Sequence, residues 1–262
     1  MKKFGYWMSA VATIALMASC GGNASKKSDA DSTATKSVEE EGWITIFDGK
    51  TFNGWRGYNK DTVPGAWTIE DGAIKINGSG AGEAGARNGG DLIYAAEKLG
   101  NFELELEYKV DKGSNSGIFY MIQEVPETPS YYSAPEYQVL DNDNHPDAKL
   151  GVDGNRQSAS LYDMIPAVPQ NAKPYGEWNT AKIMVYKGTV VHYQNGEPVV
   201  EYHLWTPEWK AMLDKSKFSQ EKNPQAYELL MNCGGDNKEG YIGLQDHGDN
   251  VWFRNIRVKK LD

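Results

Sequence analysis

Four short stretches carry the side chains that could do chemistry. In Glu136-Tyr-Gln-Val-Leu-Asp141 an extended backbone puts Glu136 and Gln138 on one face and Tyr137 and Val139 on the other. In Tyr241-Ile-Gly-Leu-Gln-Asp-His247, Gln245 and His247 share a face with Gly243. In Phe102–Val110, Glu103, Glu105 and Glu107 share a face. The loop Asp141-Asn-Asp-Asn-His-Pro-Asp147 offers oxygen and nitrogen donors. Strands lining one concave sheet would gather two carboxylates, a histidine and amides in a cleft. That is equipment for general acid–base work on a sugar, with flat aromatic faces to pack against the ring.

Each group also has a plainer reading. Glu103 and Glu105 read as ordinary solvent-face residues, and Glu107 stays open because it lies nearest the Asn115-Ser116-Gly117 turn. His247, between Asp246 and Gly248, could be structural or functional. Asp141, His145 and Asp147 are candidate metal ligands, yet the stretch lacks the glycine and terminal Glu of a calcium loop and reads better as a solvated turn. No phosphate-binding glycine loop, HExxH, CxxC or GxSxG occurs, and Gly78–Gly90 reads as a surface loop.

Period-two alternation dominates the elements that must position these groups. Strands are expected at Trp43–Phe47, Phe102–Val110, Gly117–Ile122, Glu136–Leu140, Asn179–Tyr186, Tyr227–Met231, Tyr241–Gln245 and Val251–Lys259. Asp71-Gly72 and Asn195-Gly196 each sit between two such runs, the signature of a hairpin. One helix is expected over Pro207 to Phe218, capped by Thr206. No 20–50-residue repeat appears. The expected fold is all-β, a jelly-roll β-sandwich with long loops and about one short helix. The stretches 124–135, 141–156 and 166–176 exceed ordinary loop lengths and read as walls of a site.

The chain opens Met1-Lys2-Lys3, continues apolar to Met17 and reaches Ala18-Ser19-Cys20, so residues 1–19 read as a secretory signal. Leu16-Met17-Ala18-Ser19-Cys20 resembles a bacterial lipobox, which makes Cys20 the expected site of lipidation. Residues 20–41 are polar and small, a flexible tether. Residues 42–262 are expected to form a single domain. Loss of the signal removes two lysines and no acid, taking the net charge from −9 to −11. With no basic stripe, nucleic acid is an unsuitable partner. Once Cys20 is lipidated only Cys233 remains, so no intrachain disulfide forms, and Cys233 reads as a small buried apolar residue.

Several strings, in order, are familiar: Trp43-Ile-Thr-Ile-Phe-Asp-Gly-Lys-Thr-Phe-Asn-Gly-Trp55, Asn115-Ser-Gly-Ile118, Glu136-Tyr-Gln-Val-Leu-Asp141, Gly176-Glu-Trp-Asn179, Asn195-Gly196, Gly243-Leu-Gln-Asp-His-Gly248 and Phe253-Arg-Asn-Ile256. Over residues 42–262 the chain resembles the 3-keto-disaccharide hydrolase family. The resemblance implies a concanavalin A-like sandwich and an exported enzyme that cleaves glycosides bearing a ketone at C3, made by an oxidoreductase partner. By position it implies a cleft of Asn115, Glu136, Gln138, Gln245 and His247 as catalytic residues. Glu107, Asp141, His145, Trp178 and Asn179 are taken as substrate-binding. It fixes no cofactor and leaves room for a divalent cation. A C3 ketone acidifies the C2 proton and leaves the C1 substituent poised for elimination, so Glu136 and His247 would serve as base and acid. The expected location is the envelope of a Gram-negative bacterium, lipid-anchored on its periplasmic side or surface. Two rivals stand: a laminarinase-like hydrolase of unoxidised glucans, and a non-catalytic carbohydrate-binding module.

Overall fold

The computed structural model describes residues 42–78 and 88–262. The expected signal, the expected tether with Cys20 and most of Gly78–Gly90 lie outside the described residues. Among the described residues the strands are β1 (Trp43–Thr45), β2 (Trp55–Gly57), β3 (Trp67–Glu70), β4 (Ala73–Ile76), β5 (Leu92–Leu99), β6 (Phe102–Val110), β7 (Asn115–Ile122), β8 (Glu136–Leu140), β9 (Asn179–Tyr186), β10 (Thr189–Gln194), β11 (Glu197–His203), β12 (Gly240–Leu244) and β13 (Val251–Lys260). They form two antiparallel sheets. The larger runs β11-β10-β9-β6-β13-β4-β3, with β1 also on β13; the smaller runs β2-β5-β12-β7-β8. This is the all-β sandwich that the alternation predicts.

The alternation decides which faces meet. From β6, Phe102, Leu104, Leu106, Tyr108 and Val110 are buried. They share one core with Ile118 and Tyr120 of β7, Tyr137 and Val139 of β8, and Ile242 and Leu244 of β12. Each such side chain contributes about 1.5–3 kcal/mol of burial. A buried polar chain crosses between the sheets: the Tyr120 hydroxyl lies 2.7 Å from His192 Nε2 and 2.6 Å from the Tyr202 hydroxyl, and His192 Nδ1 donates to Ala159 O at 2.8 Å. Asp71-Gly72 and Asn195-Gly196 turn the two expected hairpins, all four residues having positive φ, as a type I′ turn requires.

Three expectations are corrected. Tyr227–Met231 is helical, part of α2 (Pro224–Met231). Asn223 caps it by accepting the Ala226 N–H at 3.1 Å, Pro224 opens it, and Ala226, Tyr227 and Leu230 recur at helical spacing toward the core. The described residues thus contain two α-helices where one is expected, besides two short 3-10 turns. The other, α1 (Pro207–Lys215), stops short of Phe218, and Ser216 continues in an extended conformation. β5 was not anticipated: Leu92 enters the main core while Ile93 enters a small cluster on the opposite face, so alternation is lost.

Burial holds His192 neutral down to about 4, against an ordinary value of 6.5. Between those values the unfolded chain binds a proton that the folded chain excludes. Stability is therefore intact above pH 6.5 and falls as the pH drops toward 4, by up to about 3 kcal/mol from this group. Denaturant unfolding of wild type and His192→Gln across that window should give a steeper acid loss for wild type; parallel curves would exonerate His192.

Candidate active site

On the outer face of the small sheet, three strands bring their polar residues together. Glu136 and Gln138 leave β8 opposite the core-facing Tyr137 and Val139. The β7–β8 register sets Gly117 across from Gln138 and Phe119 across from Glu136. A Cβ on Gly117 would collide with the Glu136 carboxyl, standing 2.9 Å from its Cδ. The missing side chain of Gly117 is thus the space that Glu136 fills. Gln245, just past β12, donates its N–H to Gly117 O at 2.9 Å, and Ser116 Oγ donates to Gln245 O at 2.7 Å. Asn115 opens β7, its N–H donating to Asp249 Oδ2 at 3.0 Å. Asn115, Glu136, Gln138, Gln245 and His247 line one pocket with Tyr131, Tyr162 and Lys217. Its enclosed volume is about 30 Å³.

The polar atoms of this pocket are unusually unsatisfied. Among the described residues, Asn115 Oδ1, Gln245 Oε1 and His247 Nδ1 are the buried side-chain atoms that lack a hydrogen-bond partner, and all three are here. Buried polar atoms are rarely left so, and their convergence marks a place for a polar ligand. Gln138 differs: its Oε1 accepts the Val139 N–H at 3.1 Å and its Nε2 donates to Arg156 O at 3.3 Å, so it shapes the floor. His247 Nδ1 stands 3.7 Å from Asp249 Oδ2. Burial, then the charges of Glu136 and Asp147, hold the Tyr162 phenol well above its usual range. It stays protonated and donates to Asp147 Oδ2 at 2.9 Å.

Other residues expected at the site lie elsewhere. β6 belongs to the larger sheet, so its glutamates point away from the sandwich on the opposite side from Glu136. Glu107 pairs with Arg254 at 2.7 Å, and the Trp178 ring lies 3.9 Å beneath the same guanidinium. Asn179 is buried, its Oδ1 accepting from Lys173 N at 2.7 Å and Asn195 Nδ2 at 2.9 Å. None of the three reaches the pocket. A larger concavity of about 870 Å³ lies on that far face, lined by Glu105, Glu107, Lys182, Tyr193 and Arg257. There Glu105 and Glu107 are ion-paired, and it holds none of the orphaned atoms.

The Asp141–Asp147 loop approaches the site at His145, whose ring centre is 5.8 Å from that of His247. Asp141 accepts from Gly113 N and Asn144 Nδ2, both at 2.8 Å, and Asp147 is taken by Arg156 and Tyr162. Both carboxylates organise loops, which corrects their place beside His145 as expected metal ligands. The group with cation-like spacing is instead His145, His247 and Asp249, whose ligand atoms lie within 4.8 Å of one another. His145 Nδ1 accepts the Asp147 N–H at 3.1 Å, leaving its proton on Nε2, which a cation bound there would have to displace. Burial, then neighbouring His247, lower the pKa of His145, which keeps it neutral near pH 7.

Comparison with known proteins gives the family. Residues 42–259 match the family described as the 3-keto-alpha-glucoside-1,2-lyase-like domain. The chain belongs to this family. A 3-keto-disaccharide hydrolase from Bacteroides thetaiotaomicron (strain VPI-5482) is 72% identical over 234 residues, covering 86% of this chain and 80% of the relative. Two crystal structures from Parabacteroides distasonis ATCC 8503, provisionally named glycosyl hydrolases, are also similar. One has a TM-score of 0.70 at 29% identity, covering 85% of this chain and 95% of that one. The other has 0.62 at 26%, covering 84% and 99%. With the family comes the enzyme class, a glycoside hydrolase.

Within this family member, Tyr131, Tyr162 and Lys217 escaped sequence reading. Tyr131 lies in a 3-10 turn (Ser130–Tyr132) too short to show a period, and Tyr162 lies on an irregular segment. Lys217 fell inside the over-long helix; the extended Ser216 turns it toward the pocket instead. The contact between Gly117 and Glu136 gives a direct test. Gly117→Ala should cost about 1–3 kcal/mol through overpacking and displace Glu136, lowering turnover at least tenfold while the protein still melts cooperatively. Unchanged turnover in a steady-state assay would show that the Glu136 position is not critical.

Proposed function

We propose that this enzyme cleaves glycosides whose sugar carries a ketone at C3, by taking the C2 proton and expelling the C1 substituent. The supporting observation is the convergence of three orphaned polar atoms beside Glu136 in one pocket. A polyhydroxylated sugar supplies the missing partners. The family and the name of the Bacteroides relative support this substrate class.

In this reading Glu136 is the base. It takes the C2 proton, and the electron pair of the C2–H bond becomes an enolate spanning C2, C3 and the ketone oxygen. The enolate reforms the ketone as the C1–O bond breaks, and His247 protonates the departing oxygen. Asp249 Oδ2 stands 3.7 Å from His247 Nδ1, on the ring that delivers this proton. Water adds at C1 and a proton returns to C2, so the net reaction is hydrolysis. Asn115 and Gln245 orient the sugar, and Gln138 holds the floor. An oxidoreductase must supply the ketone. On the same reading the domain works at the envelope of a Gram-negative cell, tethered through lipid on Cys20.

A laminarinase-like reaction would use strand carboxylates, but Glu103, Glu105 and Glu107 are each ion-paired on the far face. Wild type should cleave a 3-keto-disaccharide and leave its unoxidised parent intact. Glu136→Gln and His247→Ala should each lower kcat at least 100-fold. Cleavage of both sugars, or full activity in both variants, would refute the reading.

A further inference from the structure

The proposed reaction places negative charge on the C3 oxygen, and a base alone does not stabilise it. Asn115 and Gln245 are neutral amides, and the Gln138 amide already donates to Arg156 O. Among the described residues that line the pocket, Lys217 carries the only fixed positive charge. Its ammonium lies 4.4 Å from the Tyr162 ring centre, 5.1 Å from that of Phe218 and 5.5 Å from that of Tyr131. It makes no ion pair among the described residues. Three aromatic faces therefore hold this cation without neutralising it.

The surroundings fix both the cation and its cage. The Lys217 N–H donates to Asp163 Oδ2 at 2.6 Å, and Asp163 Oδ1 accepts from Arg156 Nε at 2.7 Å. Arg156 Nη1 donates to Asp147 Oδ1 at 2.8 Å, and the other oxygen of Asp147 accepts the Tyr162 hydroxyl. One network thus anchors the lysine backbone and the ring beneath its side chain. A preorganised charge aimed at the atom where charge develops is the form of stabilisation that most lowers a barrier.

Resting on the proposed function, we infer that Lys217 is a catalytic residue: its ammonium stabilises the C3 enolate oxygen while Glu136 removes the C2 proton. The pocket then holds both a base and an electrophile.

The test is steady-state kinetics on a 3-keto-disaccharide with wild type, Lys217→Met and Lys217→Arg. Lys217→Met keeps an apolar stem against the rings, and it should lower kcat by about 100-fold or more with KM changed less than about threefold. Lys217→Arg should recover at least a tenth of wild-type kcat. An unchanged kcat for Lys217→Met, or a raised KM alone, overturns the inference and makes Lys217 a binding cation. Lys217→Gln is the second neutral variant, judged by the same threshold if the Met variant fails to melt cooperatively. Wild type that leaves the 3-keto-disaccharide intact overturns the proposed function itself; active wild type with an unaffected Lys217→Met overturns this inference alone.

Discussion

The pleat of the small sheet is the constraint on which the site depends. Tyr120, Tyr137 and Val139 must enter the core, because that is where the sheets bury their apolar area. Once they do, Gly117, Glu136 and Gln138 have no choice but the outer face. The buried contacts of Tyr120 with His192 and Tyr202 tie β7 to the larger sheet and resist slippage. A shift of one residue would drive Glu136 into hydrocarbon and Tyr137 into the pocket. Packing energy in the core is thereby converted into the position of a carboxylate.

A second layer of acidic residues turns that position into a rigid pocket. Asp246 is almost fully buried, accepting from Gly90 N at 2.7 Å and Gly248 N at 2.9 Å. Asp249 joins the start of β7 to the neighbourhood of His247. Asp147 and Asp163 flank Arg156 and fasten the segments that carry Tyr162 and Lys217. Part of the acid excess of the chain therefore serves as scaffolding for loops. Functional groups held this way keep their geometry because their neighbours cannot relax. Cys233 stands outside this scheme: burial pushes its thiol up to about 12, consistent with an inert core residue.

What was legible in the sequence follows from the same physics. Alternation reports which residues share a face, so Glu136 with Gln138 and the two type I′ hairpins could be read directly. It does not report which sheet a strand joins. That is why Glu107 was grouped with Glu136 although β6 lies in the other sheet. Tyr227–Met231 is too short and apolar to separate strand from helix by period; the Asn223-Pro224 start was the deciding signal. Tyr131 sits in a single 3-10 turn, and Tyr162 and Lys217 lie on irregular backbone whose course is set by long-range hydrogen bonds such as that from Lys217 N to Asp163. Local pattern carries no trace of such contacts. The Asp141–Asp147 loop leaves a turn and a ligand set both open, because a carboxylate that organises a turn and one that binds a cation have the same sequence appearance.

Removal of the C2 proton is the central claim, and a label at that position tests it most directly. A 3-keto-disaccharide carrying deuterium at C2, incubated with wild type in ordinary water, should be cleaved more slowly than its protium counterpart. Its released 3-keto sugar should have lost the label to solvent. Equal rates together with a fully retained C2 deuterium would contradict the account, because the bond to C1 would then break without any chemistry at C2.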